Sequence, residues 1–373
     1  MEIEKGDIPP KDEPNVDLSK ADALYNYHIR NDIYPGLHRY YVALSAEEID
    51  TFIDLFLADR KTFIKYRAGA MLYLALYSYA CGEKLPDRLY RELIDRYFYC
   101  NSHIYLRADE KFADELIDIL DEADDYSDYV EEILSALTMI GGKRANDFII
   151  ENSKDPLPIW AEKHRIVPKE YTKYAGWEAV EDGMPNVLFK KELTAFIRCE
   201  KSEASPLSPI NSLAEVCGFC GQPLTLIFDT DIKLATCMYC SAFQTVFTKT
   251  DENGVLWHPA NAKGVFLQRF PKYLKNDRNI TDRFIYGVKP SGEARKATWT
   301  ADKHTEINRT GIGGMPTVVF DIKYPKCPEC GKTMRFAAQL DMSDIEEEGI
   351  GLFYFFVCEG CKVAGANYDY PSW

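Results

Sequence analysis

Cys217-Gly218-Phe219-Cys220 with Cys237-Met238-Tyr239-Cys240, and Cys327-Pro328-Glu329-Cys330 with Cys358-Glu359-Gly360-Cys361, decide how the second half of this chain is held together. Each set reads C-x2-C, a spacer, C-x2-C. A tetrahedral Zn²⁺ takes four thiolates at about 2.3 Å, and a C-x2-C turn supplies two of them from one tight knuckle. Two knuckles at the ends of a hairpin close the site. The spacing predicts two zinc ribbons, one structural Zn²⁺ held by Cys217, Cys220, Cys237 and Cys240 and a second by Cys327, Cys330, Cys358 and Cys361. Four protein thiolates leave no position for water or substrate, whereas a catalytic zinc keeps one open. Redox dithiols and four-thiolate iron use the same ligands. A redox dithiol, however, usually stands alone at a helix start rather than opposite a second pair. Pairing of knuckles between the two sets stays open at this level.

The totals narrow the class. A chain of 373 residues with 46% hydrophobic content has room for two or three cores. Its 44 basic and 59 acidic residues give a formal charge of −15, which argues against nucleic acid and against an anionic membrane surface. Eight of the eleven cysteines fall in C-x2-C pairs, the usage of metal binding in a reducing compartment. Cys81, Cys100 and Cys199 stand alone, the first two in apolar, helix-like sequence. The opening stretch MEIEKGDIPPKDEPN has no apolar run of the signal-peptide kind, and the apolar run around Ala68–Cys81 is too short to span a bilayer. A cytoplasmic protein is expected.

Along the chain, residues 1–16 read as a flexible arm and 17–155 as an α-helical domain. Ser45 and Glu48 write a capping box ahead of Ile49, Phe52, Ile53 and Phe56 at helical spacing. Lys61–Ala80 reads as a second helix, Leu85-Pro86-Asp87 opens a third, and Phe112–Leu120 a fourth. Ser127 is the expected cap of a helix to Ile140, closed by Gly141-Gly142, with a further helix over Lys143–Asn152. The helix–Gly turn–helix units resemble the hairpins of HEAT-like repeats over two units; a plain helical bundle accounts for them as well. Residues 153–170 hold three prolines and little periodicity, and the domain junction is placed there. From 165 to 373 the texture is β-rich, with strands expected at 187–189, 224–228, 243–248, 255–257, 317–322, 334–340 and 352–357. Asp251-Glu252-Asn253-Gly254 is a hairpin turn. Residues 271–310 read as a long excursion.

The β-rich part repeats itself. Gly183-Met184-Pro185-Asn186-Val187-Leu188-Phe189 returns as Gly314-Met315-Pro316-Thr317-Val318-Val319-Phe320. Each copy leads to a C-x2-C-G knuckle, a strand pair and a second C-x2-C. The same order in both copies reads as a duplication, with modules at about 165–270 and 305–373. The fold class expected is α+β multidomain: an all-α N-terminal domain and a duplicated β-rich domain with two four-cysteine zinc ribbons.

The second copy resembles the YwqG-like family of bacterial proteins. The resemblance rests on Gly311-Ile312-Gly313-Gly314-Met315-Pro316, Cys327-Pro328-Glu329-Cys330-Gly331, Gln339-Leu340-Asp341 and Gly351-Leu352-Phe353-Tyr354-Phe355-Phe356 leading to Cys358. About sixty residues match well and two hundred loosely. More distantly, the region is similar to the C-terminal part of programmed cell death protein two. The first resemblance implies an immunity protein that neutralises a bacterial toxin. The second implies a chaperone or adaptor for a basic client protein.

Both implications ask for a basic partner. Between Asp109 and Glu132 lie twelve acidic residues and one lysine. A solvated helix face accounts for them; a docking surface at Asp121, Glu122, Asp124, Asp125 and Asp128 is the sharper reading. No Ca²⁺ loop is written there, since the alternating ligands and central Gly are missing. None of the six histidines has a partner at metal spacing, no G-x-S-x-G, P-loop or dinucleotide fingerprint occurs, and Cys199 has no nearby base. Gly311–Gly314 precedes a strand and reads as a backbone turn rather than a phosphate cradle. Phe266, Phe270 and Tyr273 among Lys263, Arg269, Lys272 and Lys275 form the best base-stacking cluster, against a competing view of aromatic packing on a sheet edge. The expected function is non-enzymatic protein binding, with nucleic-acid binding or an enzyme as lesser alternatives.

Overall fold

Helices fill the first part of the chain because its apolar residues recur three and four apart. The computed structural model describes residues 19–28, 38–59, 74, 84–99, 102–122, 129–181, 183–269, 271, 283–291, 310–317 and 322–369. Every element among the described residues before Trp177 is helical, and everything later is dominated by antiparallel sheet. The arm at 1–16, the Lys61–Ala80 helix apart from Leu74, Cys81, Cys100 and most of 271–310 lie outside the described residues. No helix among the described residues is long and apolar enough to cross a membrane.

The helix Lys111–Glu122 shows how the pattern works. Phe112, Ala113, Leu116, Ile117 and Leu120 are buried on one face, while Asp114, Asp118, Asp121 and Glu122 are exposed on the other. Full burial of a large side chain of this kind is worth about 1.5–3 kcal/mol, and Leu116→Ala would cost about 2–5 kcal/mol through the cavity it leaves. Ser45 caps Ala46–Ala58 by accepting the Glu48 N–H at 3.2 Å. The Glu48 carboxylate, however, does not return to close the box. It accepts the backbone N–H of Ala21 at 2.7 Å, at the start of the helix Ala21–His28, and Lys20 and Ala21 hold its pKa below the usual range. One carboxylate thus joins two helices, an orphan N–H of the second outweighing a local return.

Helix Val130–Ile140 starts after Tyr129, which makes no side-chain cap; Ser127, the expected cap, lies outside the described residues. It ends at Gly141, whose φ of +66° suits glycine, and Gly142–Glu151 follows. Residues 153–170 are less irregular than expected. Pro158 and Pro168 stand at the starts of the short helices Ile159–His164 and Pro168–Tyr171, where a missing N–H costs nothing. Trp160 and Ile166 join the helical core.

The strands are β1 (Trp177–Glu178), β2 (Asn186–Val187), β3 (Leu193–Glu200), β4 (Asn211–Val216), β5 (Pro223–Phe228), β6 (Leu234–Thr236), β7 (Val246–Asp251), β8 (Gly254–Trp257), β9 (Tyr286–Pro290), β10 (Gly311–Gly313), β11 (Arg335–Asp341), β12 (Leu352–Cys358) and β13 (Val363–Asp369). The main sheet runs β8-β7-β13-β12-β11-β10-β3-β9, and β4-β5-β6 form a smaller one. The two copies therefore share a sheet: β7 of the first pairs with β13 of the second, Thr248 opposite Ala364. The Asp251–Gly254 turn joins β7 and β8 as expected. Strand β12, LFYFFVC, is apolar at every position because both its faces are covered. Phe353, Phe355 and Val357 pack with Ile227, Phe228 and Leu234 of the small sheet. Leu352, Tyr354 and Phe356 pack on the other side with Leu188, Ile322 and Tyr324.

Two buried polar groups fasten the helical layer to this assembly. Asn146, fully buried, donates to the carbonyls of Val180 and Gly183 and accepts the N–H of Val180 at 3.0 Å. Trp177 donates its indole N–H to the Thr138 carbonyl at 2.9 Å. The repeated motif meets opposite fates: Met184 is 65% exposed, whereas Met315 is 4% exposed and lies in the helical core.

Candidate metal centres

The eight knuckle cysteines come together as two groups of four, Cys217, Cys220, Cys237 and Cys240 in one and Cys327, Cys330, Cys358 and Cys361 in the other. Within each group the sulfurs all lie within 4.8 Å of one another. Cross-knuckle Sγ–Sγ distances are 3.7 Å for Cys217–Cys240, 3.5 Å for Cys220–Cys237 and 3.7 Å for Cys330–Cys358. A tetrahedron with about 2.3 Å metal–sulfur bonds puts its sulfurs about 3.8 Å apart, whereas a disulfide brings them to about 2.05 Å. The donor set and the spacing fit a metal ion, and the knuckles pair within each set rather than across sets.

Local sequence builds both. Cys217 and Cys327 each donate their N–H to the carbonyl five residues on, Gln222 and Lys332, at 2.8 Å. The chain can turn back because Gly221 and Gly331 adopt φ of +76° and +73°, a region open to glycine. Backbone N–H groups also point at sulfur: Phe219 to Cys217 and Cys240 to Cys237, both at 3.4 Å. Such bonds favour thiolate. β5 and β6 form the hairpin between the first two knuckles, and β11 and β12 the hairpin between the second two.

The first centre is enclosed. Cys217, Cys237 and Cys240 are buried among Leu224, Leu226, Ala235, Val246, Val255 and Leu267. Phe219 meets Trp257 edge-on at 4.8 Å, and Gly218 leaves room for that indole, since a Cβ there would come within 2.8 Å of its nitrogen. Ser241 bonds the Cys237 carbonyl at 2.9 Å. Hydrogen bonds from Cys217, Cys237 and Cys240 pull the Cys220 thiol down, while Cys217 and Cys220 push Cys240 up. Four sulfurs this close cannot all carry charge unaided. Protons are shared among them, and a divalent cation is what allows four thiolates at once.

The second centre is more open. Cys327 is buried, Cys330 is exposed, and Cys358 and Cys361 are half-buried. The Lys332 backbone N–H leads in lowering the Cys330 thiol to about 7, while burial pushes Cys358 up. Its outer contacts come from the first copy. Glu329, between Cys327 and Cys330, takes the Lys249 ammonium at 2.5 Å and His258 Nε2 at 3.4 Å. His258 accepts the Ala260 N–H on Nδ1 at 3.1 Å, so Nε2 carries the proton and donates to Glu329. Lys249 holds the Glu329 carboxyl below its usual range. On the other flank, Glu178 of β1 accepts Thr333 at 2.6 Å and Lys326 at 3.2 Å. Sequence reasoning missed His258 and Glu329, because a histidine after a strand and a glutamate inside a knuckle carry no local mark.

Of the expected docking residues, Asp121 and Glu122 are exposed at the end of Lys111–Glu122, on a different element from either centre. Asp124, Asp125 and Asp128 lie outside the described residues, as do Phe270, Lys272, Tyr273 and Lys275 of the expected aromatic cluster. Phe266 stacks on Phe243 at 4.5 Å and 8°, so one of its faces is already covered. Cys199 is buried in β3, and burial raises its thiol.

Fold and centres together define an α+β protein with two four-cysteine sites capable of holding metal. Among known proteins, it is similar to the uncharacterized protein YpfL of Salmonella typhimurium, 28% identical over 280 residues, which covers 70% of this chain and 63% of that protein. The chain thus spans less than two thirds of the length of that relative. No family model matches the chain, and no solved structure matches it.

Proposed function

We propose that this chain is a non-enzymatic binding protein whose β-rich part is held together by two structural Zn²⁺ ions and whose partner is a basic protein. The observation that carries the zinc assignment is the closure of both centres by four cysteine sulfurs at tetrahedral spacing. With every position taken by protein, such an ion contributes fold energy rather than a reactive site. The partner reading draws on the formal charge of −15 and on exposed Asp118, Asp121 and Glu122, beside an Asp114 already paired with Arg144 at 2.6 Å. An acidic surplus of this kind speeds and orients encounter with a basic protein. A toxin neutralised by an immunity protein is the partner we favour, in a reducing cytoplasm where the thiols persist.

Purification from cells with partners retained, followed by metal analysis and mass spectrometry of one sample, tests both parts. Two zinc per chain and a stoichiometric basic protein are expected. Iron, or free thiols without metal, overturns the zinc assignment, and the absence of any basic protein overturns the binding reading. Asp118→Lys with Asp121→Lys and Glu122→Lys should release the partner while the metal content stays at two.

A further inference from the structure

The first copy and the second copy together enclose a cleft that neither forms alone. It measures about 620 Å³ and lies between the β5–β6 turn and the face of the main sheet, within the range of about 300–1,000 Å³ usual for ligand sites. Its floor is apolar and continuous with the core: Ile312, Ala337 and Val357 stand on three neighbouring strands, and Ile232 and Leu234 close one side. Its rim carries both signs: the strand order puts Glu192, just before β3, at one end and Lys362, just before β13, at the other, with Arg335 of β11 between them and Asp231 on the β5–β6 turn.

Those four charges do not neutralise one another. Among the described residues, ion pairing within the rim is confined to Lys190 and Glu359, at 3.0 Å. Arg335 donates one Nη2 hydrogen to the Phe189 carbonyl at 3.1 Å, but its buried Nε finds no acceptor. An unmet donor on a cation at a cleft is the kind of group that functional sites retain. Gly313 and Gly314 hold the Glu192 end of the cleft in place. Gly314 donates to the carbonyls of Lys190 and Glu192 at 2.8 and 3.1 Å. Gly313, at φ +72°, approaches the Glu192 carbonyl so closely that a Cβ would come within 2.0 Å of it. This gives the glycine run a task, which is to pin the Lys190–Glu192 wall against β10.

We propose that this cleft binds an extended peptide segment of a partner protein, with a basic side chain toward Glu192 and an acidic one toward Arg335 and Lys362. The proposal rests on the protein-binding reading above and specifies where a segment of the partner enters. Arg335 on β11 and Glu192 just before β3 are separated by β10 alone, two strand spacings or about 10 Å. An extended peptide advances about 3.3 Å per residue, so the two side chains belong about three residues apart. Small apolar residues between them would lie on Ile312 and Ala337.

The probes are capped eight-residue peptides with one Lys and one Glu three positions apart, and the same peptides with both replaced by Ser. Binding to the full zinc-loaded chain is read by fluorescence polarisation and by amide shifts at Gly313 and Ala337. The charged peptide should bind saturably and the Ser peptide at least about tenfold more weakly. Glu192→Lys should cost the charged peptide about tenfold, and a peptide carrying Glu at both positions should recover it. Lys362→Glu tests the other wall in the same way. Glu192 and Lys362 are exposed, so the variants keep the fold, and unchanged metal content verifies this. Equal affinity for charged and Ser peptides, no binding at millimolar concentration, or indifference to the reversals overturns the cleft. If a basic protein still co-purifies while the peptides fail, the cleft falls and the wider reading stands. If the peptides bind and no protein co-purifies, the wider reading falls.

Discussion

Around Cys217, Cys220, Cys237 and Cys240 the chain gathers an apolar core of its own, with Leu224, Val246 and Leu267 against the sulfurs and Trp257 over Phe219. Around Cys327, Cys330, Cys358 and Cys361 the same knuckle opens to solvent at Cys330, and its outer contacts are charged: Lys249, His258 and Glu329 on one flank, Lys326 and Glu178 on the other. One cysteine spacing thus produces an enclosed centre and an accessible one. The knuckle sets the ligand geometry, and the surroundings set how easily a ligand exchanges. In the first centre, removing a ligand exposes a core. In the second, it loosens a corner of a sheet that pairs with strands on both sides.

The comparison breaks most visibly at the ligands. Structural zinc supplies about 10–16 kcal/mol of apparent binding energy, as large as the 5–15 kcal/mol net stability of a typical domain. Cys240→Ser should therefore unfold the β4-β5-β6 sheet, seen as loss of near-UV circular dichroism and of soluble protein. Cys330→Ser should leave a folded chain with one metal instead of two. A chromophoric chelator should withdraw the metals in two phases, the faster one missing in Cys330→Ser. Equal rates at both centres would mean that burial does not set the order.

Acid distinguishes the centres from the helical layer. His103 is 4% exposed, and burial lowers its pKa to about 3 from about 6.5 in an unfolded chain. A folded pKa below the unfolded one means that the neutral form belongs to the native state. This contribution is complete above about pH 6.5 and is lost as pH falls from there toward 3, to a total of a few kcal/mol. His103→Gln should flatten this part of the urea-midpoint profile. Metal loss from the centres, followed by metal release over the same range, should be unchanged.

Smaller effects sharpen the contrast. Glu329→Gln or His258→Ala should weaken the second centre several-fold, by releasing the Lys249–Glu329–His258 cluster that braces its first knuckle, and leave the first alone, as measured by competition with a chelator of known affinity. Gly218→Ala should act only on the first. Its Cβ would meet the Trp257 nitrogen at 2.8 Å, and displacing the indole should cost about 1–3 kcal/mol, seen as a lower unfolding midpoint with full metal content.

Much of the metal chemistry is legible without coordinates because a knuckle is local. The turn, the glycine after it and the N–H groups aimed at sulfur lie within six residues of Cys217 and of Cys327. Helices such as Lys111–Glu122 are legible for a related reason, a burial period carried by the residues themselves. The strands were harder. LTAFIRCE in β3 and VAGANYD in β13 were not expected as strands, because their partners lie elsewhere in the chain and a small or mixed sequence takes its face from them.

The sequence by itself determined the eight candidate ligands and the amphipathic helices, because each depends on spacing over a turn or two, while the division of the knuckles into two centres came from the structure. Tertiary structure decided that the two copies share one sheet, that Met184 faces solvent while Met315 is enclosed by helices, and that His258 reaches Glu329 from 71 residues away. It also brought Glu192 to one end of a cleft that Arg335 and Lys362 line further along. These depend on which edges and faces meet, and local residue order does not encode that: the same GMP motif and the same knuckle are compatible with either surrounding.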